Sequence, residues 1–245
     1  MTKKRFLFDL DDTLMWNIHD YSFPLLDFAR LVIERVGLRA PDVPAIMNLQ
    51  AEIDSKKVKD WMPSGKGFCK ERFPTSTSET YREICRTLGI NDLEGEKLAY
   101  QIGTQAFDFE RWKKQGLVLG AEEIIYYLKE KGDELILVTK GDAEIQQMKI
   151  LANNLESMFD EIHIVQTKNK EILEAFIGNR DRSYVWHVGN SIKSDVLPAI
   201  DAKIGMIYIP LETWKFEKEH AGIPEYSRLI KIDKILQIKD IYLKL

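Results

Sequence analysis

Two hydrophobic rhythms divide this chain. A short apolar run, Arg5-Phe6-Leu7-Phe8, reads as a buried strand and stops at Asp9. Helical spacing takes over from there. Leu25, Leu26, Phe28, Ala29, Leu31, Val32 and Val36 share one face, with Gly37 placed as a C-cap. Ile46, Leu49, Ile53 and Val58 mark a second helix. The Ser- and Thr-rich segment 73–78 predicts a loop, with Ser78 as N-cap of a helix carrying Tyr81, Ile84 and Leu88. Residues 93–109 predict one further helix, with Leu98, Ile102 and Phe109 on one face.

Past the helical block, strands and helices alternate. Helices over 121–131, 142–155, 170–178 and 192–202 separate strands at 134–139, 162–165, 183–188 and 204–209. The stretch 230–245 predicts a cover for the sheet. Short apolar strands between helices predict an α/β fold, a doubly wound parallel sheet covered on both faces. The first strand must join that sheet, so the helical block interrupts the core. The expected domains are 1–15 with 116–245 as the core, and 16–115 as an all-helical insertion.

Composition narrows the class. A chain of 245 residues that is 44% hydrophobic and 30% charged has the material for a packed core and is not a disordered segment. A net charge of -4 lacks the basic footprint of a nucleic-acid binder. No apolar run approaches the ~20 residues of a spanning helix. The apolar stretch after the basic start ends at Asp9, too short for a signal peptide. The C-terminal aliphatics do not keep to a single helical stripe, which argues against a membrane-surface helix. Cys69 and Cys85 have no metal-ligand spacing and suit a reducing compartment. The expectation is a soluble cytoplasmic protein, monomer or homodimer, with neither nucleic acid nor membrane as partner.

Chemistry gathers at the strand ends. The first strand ends in Asp9 and Asp11, the second in Thr139, the third near Lys168, and the fourth in Asn190 with Asp195 beyond. In an open parallel sheet these ends lie on one edge, where ligands bind. Two aspartates two residues apart repel each other, and proteins rarely accept this without a metal or a task. Taken singly, Thr139 can cap a helix, Lys168 or Lys170 can be a solvated cation, and Asn190 and Ser191 can form a turn. Those separate roles do not account for the order.

That order resembles the haloacid dehalogenase-like hydrolase superfamily, in its phosphatase branch with an inserted helical cap. Phe8-Asp9-Leu10-Asp11-Asp12-Thr13-Leu14 looks like the first motif of the family, and Leu137-Val138-Thr139 like the second. Val165-Gln166-Thr167-Lys168 looks like the third, and Val188-Gly189-Asn190-Ser191-Ile192-Lys193-Ser194-Asp195 like the fourth. The resemblance implies a Rossmann-like core and a cap that sets substrate choice. It implies Asp9 as nucleophile, forming an aspartyl-phosphate, and Asp11 as general acid and base. It implies Mg2+ held by Asp9, the carbonyl of Asp11, and Asp195 with or without Asn190. Thr139 and free backbone N–H groups at Lys140 and Gly141 would hold phosphoryl oxygens. Lys168 would offset charge, with Lys170 as the substitute.

Two positions depart from the pattern. The fourth motif more often begins Gly-Asp where this chain has Gly189-Asn190, which implies weaker metal binding. Asp12 stands where the family often has Gly. Dehalogenases of the superfamily lack the second acid, so Asp11 argues for phosphate chemistry. The expected function is a Mg2+-dependent phosphatase acting on a small phosphorylated metabolite. A non-catalytic protein that binds a phosphorylated ligand, or a phosphomutase, is the alternative. Trp16, Asn17 and His19 are candidates for the hinge or the leaving-group side. Lys56, Lys57 and Lys59 read as a solvated basic face. Leu211-Glu212-Thr213-Trp214 is assigned no role.

Overall fold

A computed structural model describes residues 3–211 and 222–245. Of the segment 211–214, only Leu211 lies among them. The described residues form two compact units, one of 3–16, 109–211 and 222–245, the other of 17–108.

The first unit is built on six parallel strands, β1 (Arg5–Phe8), β2 (Glu134–Lys140), β3 (Glu161–Val165), β4 (Val185–Gly189), β5 (Gly205–Tyr208) and β6 (Leu229–Lys231). Their order across the sheet is β3-β2-β1-β4-β5-β6. β1 pairs with β2 on one side and with β4 on the other, so the order reverses beside it. That reversal opens a crevice at the carboxyl ends of β1 and β4. β1 is buried on both faces. Leu7 packs with Ile136, Leu173 and Val196, while Phe8 meets Phe159 edge-on with ring centroids 5.9 Å apart. β6 was not expected: the sequence reads 230–245 as a covering segment. Leu229, Ile230 and Lys231 instead extend the sheet by one edge strand, and Ile235 and Ile238 beyond it are buried.

The second unit contains α1 (Ile18–Val36), α2 (Val43–Trp61), α3 (Arg72–Thr87) and α4 (Leu93–Thr104) around Phe28, Val32, Ile46, Tyr81, Ile84 and Ala99. Two sequence expectations need correction here. The segment 73–78 is helix rather than loop, and its hydroxyls find acceptors in carbonyls one turn earlier. Thr75 Oγ1 donates to Glu71 O (2.6 Å), Ser76 Oγ to Phe73 O (2.8 Å) and Thr77 Oγ1 to Pro74 O (2.8 Å). Pro74 sits in the first turn, where its missing N–H costs nothing. The predicted helix 93–109 is two elements: α4 ends at Thr104, and α5 (Phe109–Gln115) belongs to the first unit. The boundary therefore falls at 108/109 rather than 115/116. After α6 (Ala121–Glu130) comes α7 (Ala143–Ala152), against which α5 packs, burying Trp112 fully.

Asp92 ties three elements of the helical unit together. Its carboxylate caps α4 through Gly95 N (3.0 Å), takes two bonds from Arg35 (2.6 and 2.7 Å) and one from Tyr81 Oη (2.6 Å). The Arg35 bonds outweigh burial and hold its carboxyl well below the usual range. Asp92→Ala is expected to destabilise the protein by about 1–3 kcal/mol at neutral pH, read by denaturant unfolding. A depressed carboxyl contributes stability above its unfolded-state value and loses it as the pH falls. The gap between wild type and variant should therefore narrow below about pH 4. An unchanged gap at pH 3 would show that the charge of Asp92 is not what holds the three elements.

Candidate active site

Buried aspartates rarely stand alone, and each of the three at the crevice has taken cationic or N–H partners. Asp9 follows β1 directly, with its N–H donating to Val188 O of β4 (2.9 Å). Its carboxylate is paired with Lys168 Nζ and accepts from Thr13 Oγ1 (3.0 Å). The same ammonium donates to Asp195 Oδ1 (2.8 Å), so Lys168 bridges two carboxylates. Lys170 is half exposed and lies 4.0 Å from Glu174. Of the two candidate lysines, Lys168 is the one at the crevice.

Asp195 is held by four donors. Lys168 and His187 Nε2 (3.0 Å) reach Oδ1, and the backbone N–H groups of Asn190 (3.1 Å) and Ser191 (3.0 Å) reach Oδ2. An ionised carboxylate only accepts, so the imidazole carries its proton on Nε2, and its Nδ1 has no partner among the described residues. Asp195 lies in a π-helical turn, Ile192–Val196, which brings its carboxylate back over the strand end. Gly189 allows that approach: a Cβ there would sit 2.4 Å from Asp195 Cγ. Asn190 Oδ1 lies 3.2 Å from the same Thr13 hydroxyl, and its Nδ2 donates to Leu211 O (2.7 Å).

Asp11 faces elsewhere. Its Oδ1 accepts from Lys149 Nζ (2.7 Å) and its Oδ2 from Gln146 Nε2 (2.8 Å), both on α7. Directly after Asp11, Asp12 adopts φ +59°. This left-handed backbone accounts for the preference for Gly there, and Asp is among the few other residues that tolerate it.

Burial is the largest influence on Asp9 and pushes its carboxyl up to about 7, aided by Asp195 and Asp11 and opposed by Lys168. Burial would also raise Asp195, but Lys168 and His187 outweigh it and hold that carboxyl below the usual range. Burial likewise works against the charge of Lys168, and Asp195 and Asp9 overcome it and raise the ammonium. The cluster thus carries more negative charge than one lysine neutralises.

Thr139, at the end of β2, is buried and its hydroxyl has no hydrogen-bond partner among the described residues. The N–H of Gly141 is not free as expected: it donates to Val165 O (3.1 Å), continuing the β2–β3 ladder. Lys140 sends its side chain to Ser194 Oγ (2.5 Å). Trp16 is exposed, and the division between the units falls between it and Asn17, with His19 exposed one turn on. Lys57 is buried against Glu79 (2.8 Å), unlike exposed Lys56 and Lys59. Lys56 and Lys57 line an open hollow of about 620 Å³ with Arg82, Arg86 and three carboxylates.

No group of three or more His, Cys, Asp or Glu poised to hold a metal occurs among the described residues. Asn190 puts an amide beside Asp9 and Asp195 where the pattern this chain resembles more often has a third carboxylate. The set still fits a hard cation: every donor is oxygen, and Asp9 and Asp195 share the single ammonium of Lys168. Asp9, the Asp11 carbonyl, Asn190 and Asp195 would hold Mg2+.

Solved structures share this fold over nearly the full length of the chain. A haloacid dehalogenase-like family hydrolase from Xanthomonas campestris superposes with a TM-score of 0.73 at 19% identity, covering 99% of this chain and 95% of that one. The chain has the haloacid dehalogenase-like fold. Bacillus subtilis YfnB, described as a HAD-hydrolase and bound to magnesium, matches at 0.62 and 19% identity with both chains covered fully (100%). A 2-haloacid dehalogenase from Pseudomonas syringae matches at 0.60 and 18%, with 99% of each chain covered. No protein-family model matches the sequence, and no curated protein matches it. Among the described residues, no helix of this chain is long and apolar enough to cross a membrane.

Sequence reasoning missed Thr13, Gln146, Lys149 and His187 as parts of the cluster. A signal existed for one of them: His187 interrupts an apolar strand.

Lys168→Ala leaves two buried carboxylates facing each other and is expected to cost about 3–5 kcal/mol. Lys170→Ala should stay within about 0.5 kcal/mol of wild type. Urea unfolding of both variants checks the contrast, and equal effects would refute the assignment of Lys168.

Proposed function

We propose that the protein is a Mg2+-dependent phosphatase that hydrolyses a small phosphorylated metabolite through an aspartyl-phosphate. The observation that carries this reading is the pair Asp9 and Asp11 at the end of β1, with Lys168 on the first acid. The fold alone does not choose, since a dehalogenase shares it. A second acid has no use in dehalogenation as the resemblance describes it, but phosphoester cleavage has work for both.

In the first half-reaction a carboxylate oxygen of Asp9 attacks phosphorus and the bond to the leaving oxygen breaks. Asp11 gives that oxygen a proton, so an alcohol departs. In the second, Asp11 takes a proton from water as its oxygen attacks phosphorus. The bond from Asp9 to phosphorus breaks, which releases inorganic phosphate and restores the carboxylate. Lys168 neutralises the approach of Asp9 to an anionic group. The unpartnered hydroxyl of Thr139 supports a role in holding a phosphoryl oxygen. Mg2+ supplies positive charge when bound, and it fits the oxygen donors at Asp9, Asp11, Asn190 and Asp195. The free thiols of Cys69 and Cys85 support a cytoplasmic setting.

Phosphate release from a panel of phosphorylated metabolites, with Mg2+ and with chelator, tests the reading. Release is expected with Mg2+ on a group of related compounds, and Asp9→Asn should lower it by about 10³-fold or more while the fold is kept. Folded protein that releases no phosphate from any compound in excess Mg2+ would overturn the reading in favour of a ligand-binding protein or a mutase.

A further inference from the structure

Asp11 carries the acid–base steps in the proposed reaction, yet it is the most exposed of the three acids, with about a fifth of its side chain (22%) open. An exposed aspartate turns freely among several rotamers. This one does not. Lys149 Nζ and Gln146 Nε2 each hold one of its oxygens, at 2.7 and 2.8 Å. Both donors are themselves almost fully buried, at 3% and 4% exposure. They lie three residues apart on α7, so one helix face presents both.

The surroundings are built to the same end. The Lys149 ammonium stands 5.6 Å from the ring centre of Trp112, which is fully buried in α5. Gly141 admits the other donor: a Cβ there would lie 2.6 Å from Gln146 Nε2. Gln146 Nε2 also lies 3.3 Å from Lys140 O, at the end of β2. Burying a lysine and an amide side chain is costly unless they meet partners, and here both donate to the carboxylate of Asp11. Each carboxylate oxygen has a second lone pair, so the clamp leaves acceptor sites for a water or a leaving-group proton.

We infer that Lys149 and Gln146 are positioning residues that fix Asp11 for its proton transfers, an assignment that rests on the phosphatase reading. They touch no reacting atom. Their effect is to hold one carboxylate orientation, and loss of such alignment commonly lowers rates by about 10–100-fold.

An aryl phosphate separates this role from general support of the fold. Its phenolate leaves without an added proton, so phosphorylation of Asp9 needs little from Asp11. Water attack on the aspartyl-phosphate still needs it. Lys149→Met and Gln146→Leu are therefore expected to give a burst of phenolate equal to the enzyme present, followed by turnover slowed about 10–100-fold, with kcat/KM within about twofold so that KM falls with kcat. Asp11→Asn should give the same burst, and in that background Lys149→Met should add little further loss. Lys149→Arg should recover much of the rate. Circular dichroism and unfolding midpoints establish that each variant is folded; should Lys149→Met fail to fold, Gln146→Leu and Lys149→Arg carry the test. Wild type that turns over while a folded Gln146→Leu or Lys149→Met keeps its full rate, or slows without a burst, would overturn the clamp alone. Wild type with no turnover would overturn the phosphatase reading and the clamp with it.

Discussion

Asp9, Asp11 and Asp195 stand at the ends of two neighbouring strands, and the repulsion among them organises everything around the crevice. Lys168 is buried because two carboxylates compensate its desolvation. His187 is locked to one tautomer because Asp195 only accepts. The π-helical turn after β4 aims two backbone N–H groups at the same carboxylate, and Gly189 leaves the space for it. Remove the charge cluster and each of these features loses its reason.

The fold class was legible because its signal is periodic. A buried strand ending in Asp9, a helical block, and then alternating strands and helices are patterns that hydrophobic spacing conveys directly. β6 was not legible, since three residues at a sheet edge carry too little pattern to separate strand from cover. The start of α3 misled for a different reason. Ser and Thr favour loops when they face water, but in α3 they bond their own helix, and Ser76 and Thr77 are buried.

At the crevice, residues at strand ends could be read because topology alone gathers them. Lys149 and Gln146 could not be placed, because nothing local says which face of α7 turns toward Asp11. Gly141 shows how the two kinds of information diverge. Its place after Thr139 suggested a free N–H, whereas tertiary structure pairs that N–H with Val165 and uses the missing Cβ to admit Gln146. Function is in the same position: neighbours that share the fold differ in chemistry, so the side chains at the strand ends must decide it.

The placement of β1 also sets an order of assembly. β1 bonds only to β2 and β4, both of which come after the inserted helices in the chain. A ribosome working from the N-terminus therefore delivers the whole core of α1–α4 while the strand leading to Asp9 still has no neighbour. These pairings close long loops, which makes them slow to form. Asp9 and Asp11 are synthesised before either strand that β1 pairs with, and any chain that stops short of residue 195 lacks the second carboxylate that Lys168 bridges.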